Sequence, residues 1–333
     1  HLEHRRQRQM CIRDSNRPRF FFSRGSHGIY VIRRIKEESN LPKGKVMIAF
    51  GYHGDSFHGS QIQPDIRTVE GSLKKALKKL TWWSEGCLEI CSRTDAGVSV
   101  RMNLACIILP KSLIDKISPR SMIRAINDNL PVGMVAWHVK EVTSNTRARK
   151  ANFRHYLYRL EAVEDWPSNP NEELFNQACS LIEGRHDFTN LCKIEGDVNP
   201  NRVIDECSPW LDSKGEIIGV SVKARAFLWN QVRRIASAIS GVVSGRISLD
   251  QLMSAMENPN IPVDLGRANS DGLILWSISH DEFNIVVNKN TINEINFTKR
   301  PQDPREYMRW LSLMRHEMAA FLEREWLIRL NLE

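Results

Sequence analysis

The chain has 333 residues, of which 41% are hydrophobic, and a formal net charge of +8. No apolar run reaches 18 residues, which argues against a membrane-spanning helix, and the length suits two domains or one large domain built from two halves. Seven cysteines occur without a C-x-x-C pair, a pattern that argues against a disulfide framework or a zinc site and favours the reducing cytoplasm. We expect no secretory signal, because the first apolar cluster is short and lies among arginines.

Most of the positive charge lies at the N-terminus. Residues 1–34 contain nine arginines and two acids, whereas the rest of the chain carries 38 basic and 37 acidic side chains. We interpret residues 1–43 as a basic tail, in which residues 1 to about 15 are either a sequence artefact or a disordered arm. A nucleic-acid partner must therefore be argued from local patches elsewhere.

The first half of the chain is predicted to have the order strand, helix, strand, strand, helix, strand. Apolar periodicity and helix-capping residues indicate a strand at 46–52, a helix at 68–80 with Thr68 as its N-cap, strands at 87–92 and 102–109, a helix from Ser118 to before Pro131, and a strand at 134–142. The second half is predicted to repeat this order without repeating the sequence. Its elements are a strand at 153–162, a helix at 171–184, strands at 202–211 and 217–227, helices at 229–245 and 248–256, and a strand at 273–279.

Two βαββαβ units in tandem indicate an α+β fold. We expect two ferredoxin-like halves, at 44–142 and 150–287, whose antiparallel sheets carry helices on one face and join around a central cleft. Residues 288–333 are predicted to add an amphipathic helical extension. This extension either docks on the domain or binds a partner.

Two basic stretches are candidates for nucleic-acid contact. Residues 147–159 and 222–246 each contain five Lys or Arg and no acid, and aromatic residues are interleaved in both. Basic side chains bind phosphates and aromatic rings stack on bases, so the mixture suits RNA. A solvated basic face beside core aromatics is the alternative interpretation.

A lone carboxylate, Asp95, follows the predicted strand at 87–92. Such a group can be a general base, a nucleophile, a metal ligand or a turn-former. Metal ligation is disfavoured because no Asp, His or Cys lies at ligand spacing, and a two-carboxylate hydrolase is disfavoured because Glu85 and Glu89 lie before or within that strand. From the local sequence alone, a turn in which Asp95 bonds its own backbone is the simplest interpretation.

Six motifs in one order change this interpretation. They are YHGDSFHGSQIQPDIRTVEGSLKKAL (52–77), SRTDAGVSV (92–100), FRHYLYRL (153–160), GRHDFTN (184–190), AFLWNQVRRI (226–235) and DGLILW (271–276). Together they resemble the TruA family of tRNA pseudouridine synthases, which act on positions 38–40 of the anticodon stem-loop. The resemblance spans residues 45–280, and Ser60, where many bacterial relatives have Trp, is more similar to archaeal members.

The resemblance implies that Asp95 is the catalytic aspartate. The family's reaction breaks the N1–C1′ glycosidic bond of a uridine, turns the base and rejoins it through C5, with no cofactor and no metal. The carboxylate either traps the ribose carbon or abstracts a sugar proton to give a glycal. A non-catalytic RNA-binding module with the same fold is the alternative function.

The resemblance also implies partners for Asp95 in the active site. Tyr156 matches the family's active-site tyrosine, whose ring can stack on the flipped uracil and whose hydroxyl can help to remove the C5 proton. Tyr158 shares its strand face and either reaches the cleft or packs in the core. Arg233 matches the basic residue beside the aspartate, and Arg234 is the less favoured alternative.

The resemblance also implies residues that bind the substrate. Arg93 and the basic strand at 147–159, including Arg154, are predicted to bind phosphates around the target. Leu273 matches an apolar pocket position, with ordinary core as the alternative. The family is typically homodimeric and takes a tRNA across both subunits. The chain departs from the family pattern at Ser92, often Gly, at Ser99 and Val100, often His-Ala, and at His53, where Asp is common.

Overall fold

A computed structural model of the protein describes residues 42–283, 292 and 295–332. Almost all of the predicted basic tail, together with part of the segment before the last helix, lies outside these residues. The described residues from Lys43 onward form one compact unit. None of the helices in the described ranges is both long enough and apolar enough to cross a bilayer.

The described elements follow the predicted order. The first half contains β1 (Lys43–Tyr52), α1 (Val69–Lys79), β2 (Leu88–Ile90), β3 (Ser99–Pro110), α2 (Lys111–Lys116), α3 (Pro119–Asn127) and β4 (Met134–Val142). The second half contains β5 (Phe153–Arg159), α4 (Glu172–Ile182), β6 (Gly184–Asp187), β7 (Asn201–Leu211), β8 (Ile217–Ala224), α5 (Gln231–Val243), α6 (Leu249–Glu257), β9 (Leu273–Ser279) and the long α7 (Pro304–Leu332).

The predicted element types are confirmed, and the differences lie in ends and short elements. The side chains of Thr68 and Ser118 accept backbone hydrogen bonds as N-caps of α1 and α3, as predicted. Neither α2 nor β6 was predicted. The helix predicted at 171–184 spans Glu172–Ile182 with Glu183 as its C-cap, and Gly184, with a φ of +96°, follows as the predicted glycine stop and begins β6.

The strands form one mixed and mostly antiparallel sheet. Among the described residues its order is β4-β1-β3-β9-β5-β8-β7-β6, with β2 paired to β3. A parallel pair, β3 with β9, connects strands of the two chain halves, through Ser99 opposite Ile274 and Val100 opposite Leu275. This parallel pair was not predicted, since strand periodicity does not encode the identity of a distant partner.

The last helix, α7, is docked on the sheet through buried arginines. Arg101 of β3 donates to Glu325 at 2.7 Å, and its carbonyl accepts from the indole of Trp326 at 2.9 Å. Arg159 of β5 donates to Glu317 at 3.1 Å. Removing one partner of a buried ion pair is strongly destabilising, so these contacts tie α7 to the domain. The docking interpretation of this segment is therefore confirmed, and a partner-binding role stays a prediction.

His155, buried on β5, makes the stability of the fold depend on pH. Its Nε2 lies 2.8 Å from the Ser221 hydroxyl, and burial lowers its pKa to about 3. The unfolded chain binds a proton near pH 6.5, so this contribution to stability is present above pH ~6.5 and is lost as the pH falls toward 3. Glutamine does not titrate. Between pH 7 and pH 5 we therefore expect the unfolding free energy of wild type to fall by about 2 kcal/mol more than that of His155→Gln.

Urea unfolding at the two pH values measures this difference. His58→Gln, at an exposed histidine, is the matched control and is expected to keep the wild-type pH dependence. Equal pH dependence in wild type and His155→Gln would contradict the expectation.

Candidate active site

Asp95 lies in a tight turn between β2 and β3. The amide of Val98 donates to the Asp95 carbonyl at 3.4 Å, and Gly97 has a φ of +81°, a conformation that glycine adopts without strain. The turn that the local sequence predicts is therefore present in the backbone. The side chain of Asp95, however, is directed to partners from a distant part of the chain.

The loop that follows β1 supports this turn. Tyr52 bonds the Thr94 hydroxyl at 2.7 Å, and the amide of Thr94 donates to the Ser60 hydroxyl at 2.9 Å. A Cβ on Gly54 would overlap the backbone of Gly97, so the two loops meet with glycine on both sides. Residues of the motif at 52–77 thus pack against the turn that carries Asp95 and form hydrogen bonds with it.

The Asp95 carboxylate accepts from two donors near the start of α5. Arg233 Nη1 lies 3.3 Å from Oδ2, and Trp229 Nε1 lies 3.0 Å from Oδ1. The Arg233 guanidinium is itself held, since it also donates to the Ala268 carbonyl at 2.8 Å and to Asn230 Oδ1 at 3.2 Å. The Asp95 side chain is 26% exposed, so the carboxylate is oriented but still open to solvent.

The structure separates Arg233 from its neighbour. Arg234 donates to Asp264, whose side chain is 79% exposed, at 2.9 Å. Adjacent helical residues diverge by roughly 100°, so only one of the two arginines can face Asp95. Asn230, with a φ of +60°, turns the chain into α5, a conformation that asparagine tolerates better than most residues.

Tyr156 is buried on β5, and its ring meets Phe227 edge to face at 5.1 Å. Burial raises the pKa of Tyr156 well above its usual value, and the neighbouring Asp95 carboxylate adds to the shift. The side chain is therefore a neutral phenol at physiological pH. Tyr158 is fully buried and donates to the Asn269 carbonyl at 2.8 Å, which identifies it as a core residue.

The predicted substrate-binding residues differ in accessibility. Arg93 is exposed beside the turn, and Leu273 is buried at the start of β9, opposite Tyr158 of β5. Arg154 is half-buried, and its guanidinium donates to Ser92 Oγ at 2.9 Å and to the Arg149 carbonyl at 3.2 Å. Further bonds of Arg154 go to Cys91 Sγ and to the Arg225 carbonyl.

The bond between Arg154 and Ser92 involves a position at which the chain departs from the family pattern. The Ser92 hydroxyl, absent from the glycine common in the family, gives the Arg154 guanidinium a partner. Phosphate binding by Arg154 stays a prediction, because its donors already bond protein oxygens and a sulfur. No group of three or more His, Cys, Asp or Glu side chains in the described ranges is arranged to hold a metal ion.

Trp229 was not predicted as a partner of Asp95. The residue is 39% exposed, and Lys193 Nζ lies 3.7 Å from the ring centroid. The signal that the sequence offered was a tryptophan inside a basic stretch. Its hydrogen bond to Asp95 spans 134 positions of the chain, a separation that no local pattern reveals.

Comparisons with known proteins identify relatives of this chain. A family model described as tRNA pseudouridine synthase matches residues 178–281. The chain is 33% identical over 248 residues to the tRNA pseudouridine synthase A of Methanosarcina barkeri, covering 72% of this chain and 85% of that protein. It is 34% identical over 244 residues to that of Methanosarcina acetivorans, covering 72% and 85%. A protein of the same name from Limosilactobacillus fermentum is 30% identical over 251 residues, covering 70% of this chain and 95% of the relative.

Proposed function

The chain belongs to the tRNA pseudouridine synthase family, and from that premise we propose that it isomerises uridine to pseudouridine at positions 38–40 of the tRNA anticodon stem-loop. The observation that carries the catalytic assignment is the Asp95 carboxylate, which is held by Arg233 and Trp229 and whose charge contributes to the raised pKa of Tyr156. One oriented carboxylate suits a reaction that needs a single carboxylate, as nucleophile or as base, and that changes no oxidation state.

In the proposed reaction Asp95 detaches uracil from the ribose. The carboxylate either forms a bond to C1′ as the N1–C1′ bond breaks, or removes a sugar proton so that a glycal forms. The freed uracil turns and C5 bonds to C1′ as the Asp95–C1′ bond breaks or, in the glycal route, as the sugar takes its proton back. C5 then loses its proton and N1 gains one, so the product is an isomer of the substrate. Arg233 balances the negative charge and fixes the carboxylate by its bond at 3.3 Å.

Tyr156 is proposed to contact the target base. The target must leave its stack to reach a buried side chain, and an aromatic ring offers the flipped uracil a surface to stack on. Because burial raises the pKa of this phenol, we propose that it acts as a neutral hydroxyl. Proton removal from C5 would then require the hydroxyl to pass the proton to a base.

The fold is proposed to consist of two ferredoxin-like halves, at 44–142 and 150–287. Within the first, the order β4-β1-β3 with β2 beside β3 is the order expected of one βαββαβ unit, and β9-β5-β8-β7 is the corresponding order in the second. The strand β6 extends the second half, and the β3–β9 pair joins the two. The site lies where the halves meet, because Asp95 and Arg233 come from different halves.

Further parts of the proposal rest on the family resemblance. Arg93 and Arg154 bind phosphates near the target, and Leu273 contributes to the apolar pocket. The exposure of Arg93 supports the first assignment, and the burial of Leu273 beside Tyr158 is compatible with the last. The protein is proposed to act as a homodimer in the cytoplasm.

Incubation with unmodified tRNA transcripts, followed by pseudouridine mapping at nucleotide resolution, tests the proposed function. We expect new pseudouridine confined to positions 38–40, and none in transcripts that carry cytidine there. Tight tRNA binding without any pseudouridine after prolonged incubation would favour the alternative, a non-catalytic RNA-binding module. The contact between Asp95 and Arg233 beside Tyr156 supports turnover over that alternative.

A further inference from the structure

Trp229 controls one of the two oxygens of the Asp95 carboxylate. Its indole nitrogen donates to Oδ1 at 3.0 Å, while Arg233 donates to Oδ2 at 3.3 Å. A single donor would leave a carboxylate free to rotate about its own axis, whereas two donors on opposite oxygens define its plane. Both donors lie near the start of α5, so one short segment sets the orientation of a group that belongs to the other half of the chain.

Trp229 is itself held from a third segment. The amide of Lys193 donates to the Trp229 carbonyl at 2.8 Å, and the Lys193 ammonium lies 3.7 Å from the indole centroid. A cation over a tryptophan face is attracted to the ring, so the lysine restrains the side chain as well as the backbone. The indole therefore has a fixed position although the residue is 39% exposed.

The segment that carries Lys193 is anchored by the last residue of the motif at 184–190. Asn190 is buried, and its amide nitrogen donates to the carbonyls of Ala255 and Ile261, each at 3.0 Å. Its amide oxygen accepts from the Val263 amide at 3.1 Å. The proposed chemistry does not otherwise use this motif. Its last residue anchors the segment whose Lys193 contacts Trp229, the donor to Asp95.

We propose that Trp229 is a positioning residue that orients the Asp95 carboxylate through its indole N–H, with Lys193 holding the indole in place. This role rests on the proposed function, since it assigns a task within that reaction. A hydrogen bond to a charged group is stronger than one between neutral groups, so its loss has a larger effect. Removal of the N–H is therefore expected to slow the chemical step roughly 10- to 100-fold at saturating RNA.

The rival role for Trp229 is a direct contact with a nucleotide. An exposed aromatic ring beside a lysine is also a surface on which a base stacks, and such contacts contribute to RNA affinity. The two roles predict different losses. Positioning lowers the single-turnover rate and leaves RNA affinity unchanged, whereas stacking mainly weakens RNA binding.

Two substitutions separate the indole N–H from the ring. Trp229→Phe keeps an aromatic ring and removes the donor. Trp229→Gln removes the ring but places an amide N–H the same number of bonds from Cα as the indole nitrogen. We expect the Phe variant to lose rate roughly 10- to 100-fold, the Gln variant to recover most of it, and both to bind a stem-loop RNA within about threefold of wild type.

The matched control is Trp83→Phe. Trp83, in the loop between α1 and β2, also carries a lysine over its ring, with Lys74 Nζ 4.8 Å from the centroid. We expect this variant to keep the wild-type rate. Thermal unfolding of every variant shows whether the fold is retained, and if Trp229→Phe does not fold, the rate of Trp229→Gln decides alone, with a loss above about tenfold overturning the proposal.

Wild type measured in parallel separates this inference from the proposed function. Absence of pseudouridine with wild type would refute the function itself. With active wild type, a Phe variant at the wild-type rate, or Phe and Gln variants that are equally slow, would overturn positioning by the N–H. A Phe variant with normal rate beside a Gln variant with weakened RNA binding would assign Trp229 to base stacking instead.

Discussion

Asp95→Asn is expected to lower the single-turnover rate of isomerisation at least about a thousandfold, equivalent to ~4 kcal/mol in the barrier. The amide has nearly the same shape as the carboxylate, and the turn at Asp95 is held by backbone contacts of Val98 and Thr94 that do not involve the side chain. The fold should therefore survive. An amide can neither form the bond to C1′ nor accept a sugar proton effectively, so both routes of the proposed reaction are blocked.

Binding of tRNA to Asp95→Asn should stay within about threefold of wild type, because phosphates and not the carboxylate supply most of the affinity. Pseudouridine formation and RNA binding are measured on the same stem-loop. Asp264→Asn is the matched control, since Asp264 is also a carboxylate paired with an arginine of α5 but is largely exposed. Residual turnover within roughly tenfold of wild type, about 1.4 kcal/mol, would refute the assignment of Asp95.

Arg233→Leu is expected to lower the same rate at least about a hundredfold, equivalent to ~2.7 kcal/mol. The substitution removes the cation at 3.3 Å from Asp95 and the bond that fixes it to the Ala268 carbonyl. The carboxylate then loses both its charge partner and one of its two orienting donors. Arg233→Lys keeps the charge but loses the planar guanidinium, whose N–H groups bond Asp95, Asn230 and Ala268 at the same time. The lysine variant should therefore be impaired less than the leucine variant.

Arg234→Leu is the matched control for this prediction. It lies one position further along α5 and pairs with the exposed Asp264, an interaction that contributes little to stability. Single-turnover rates should therefore be equal for wild type and Arg234→Leu, intermediate for Arg233→Lys and lowest for Arg233→Leu. A leucine variant at position 233 with the wild-type rate, or one matched by Arg234→Leu, would show that Arg233 is not the functional partner of Asp95.

Local sequence patterns predicted most of the elements, whereas the family resemblance supplied the candidate catalytic residue. The caps Thr68 and Ser118 are visible in sequence because a capping hydroxyl acts within three residues of its own position. The short elements were less predictable. Gly184 marks the end of the helix as predicted, but the short strand β6, which begins at this glycine, was not predicted.

By itself, the sequence determined what depends on neighbours along the chain: the periodicity of strands and helices, the turn at Asp95, and the ordered motifs that indicate the family. The pairing of Asp95 with Arg233, 138 positions apart, was implied by the family resemblance and is present in the structure. Only the tertiary structure decided which other distant groups meet. Asp95 and Trp229 are 134 positions apart, and the β3–β9 pair brings residues 99–100 against 274–275. The choice of Arg233 over Arg234 follows from the rotation of α5 relative to the Asp95 turn, and the helix sequence does not contain that angle. Such contacts depend on how whole elements pack, so no periodicity along the chain encodes them.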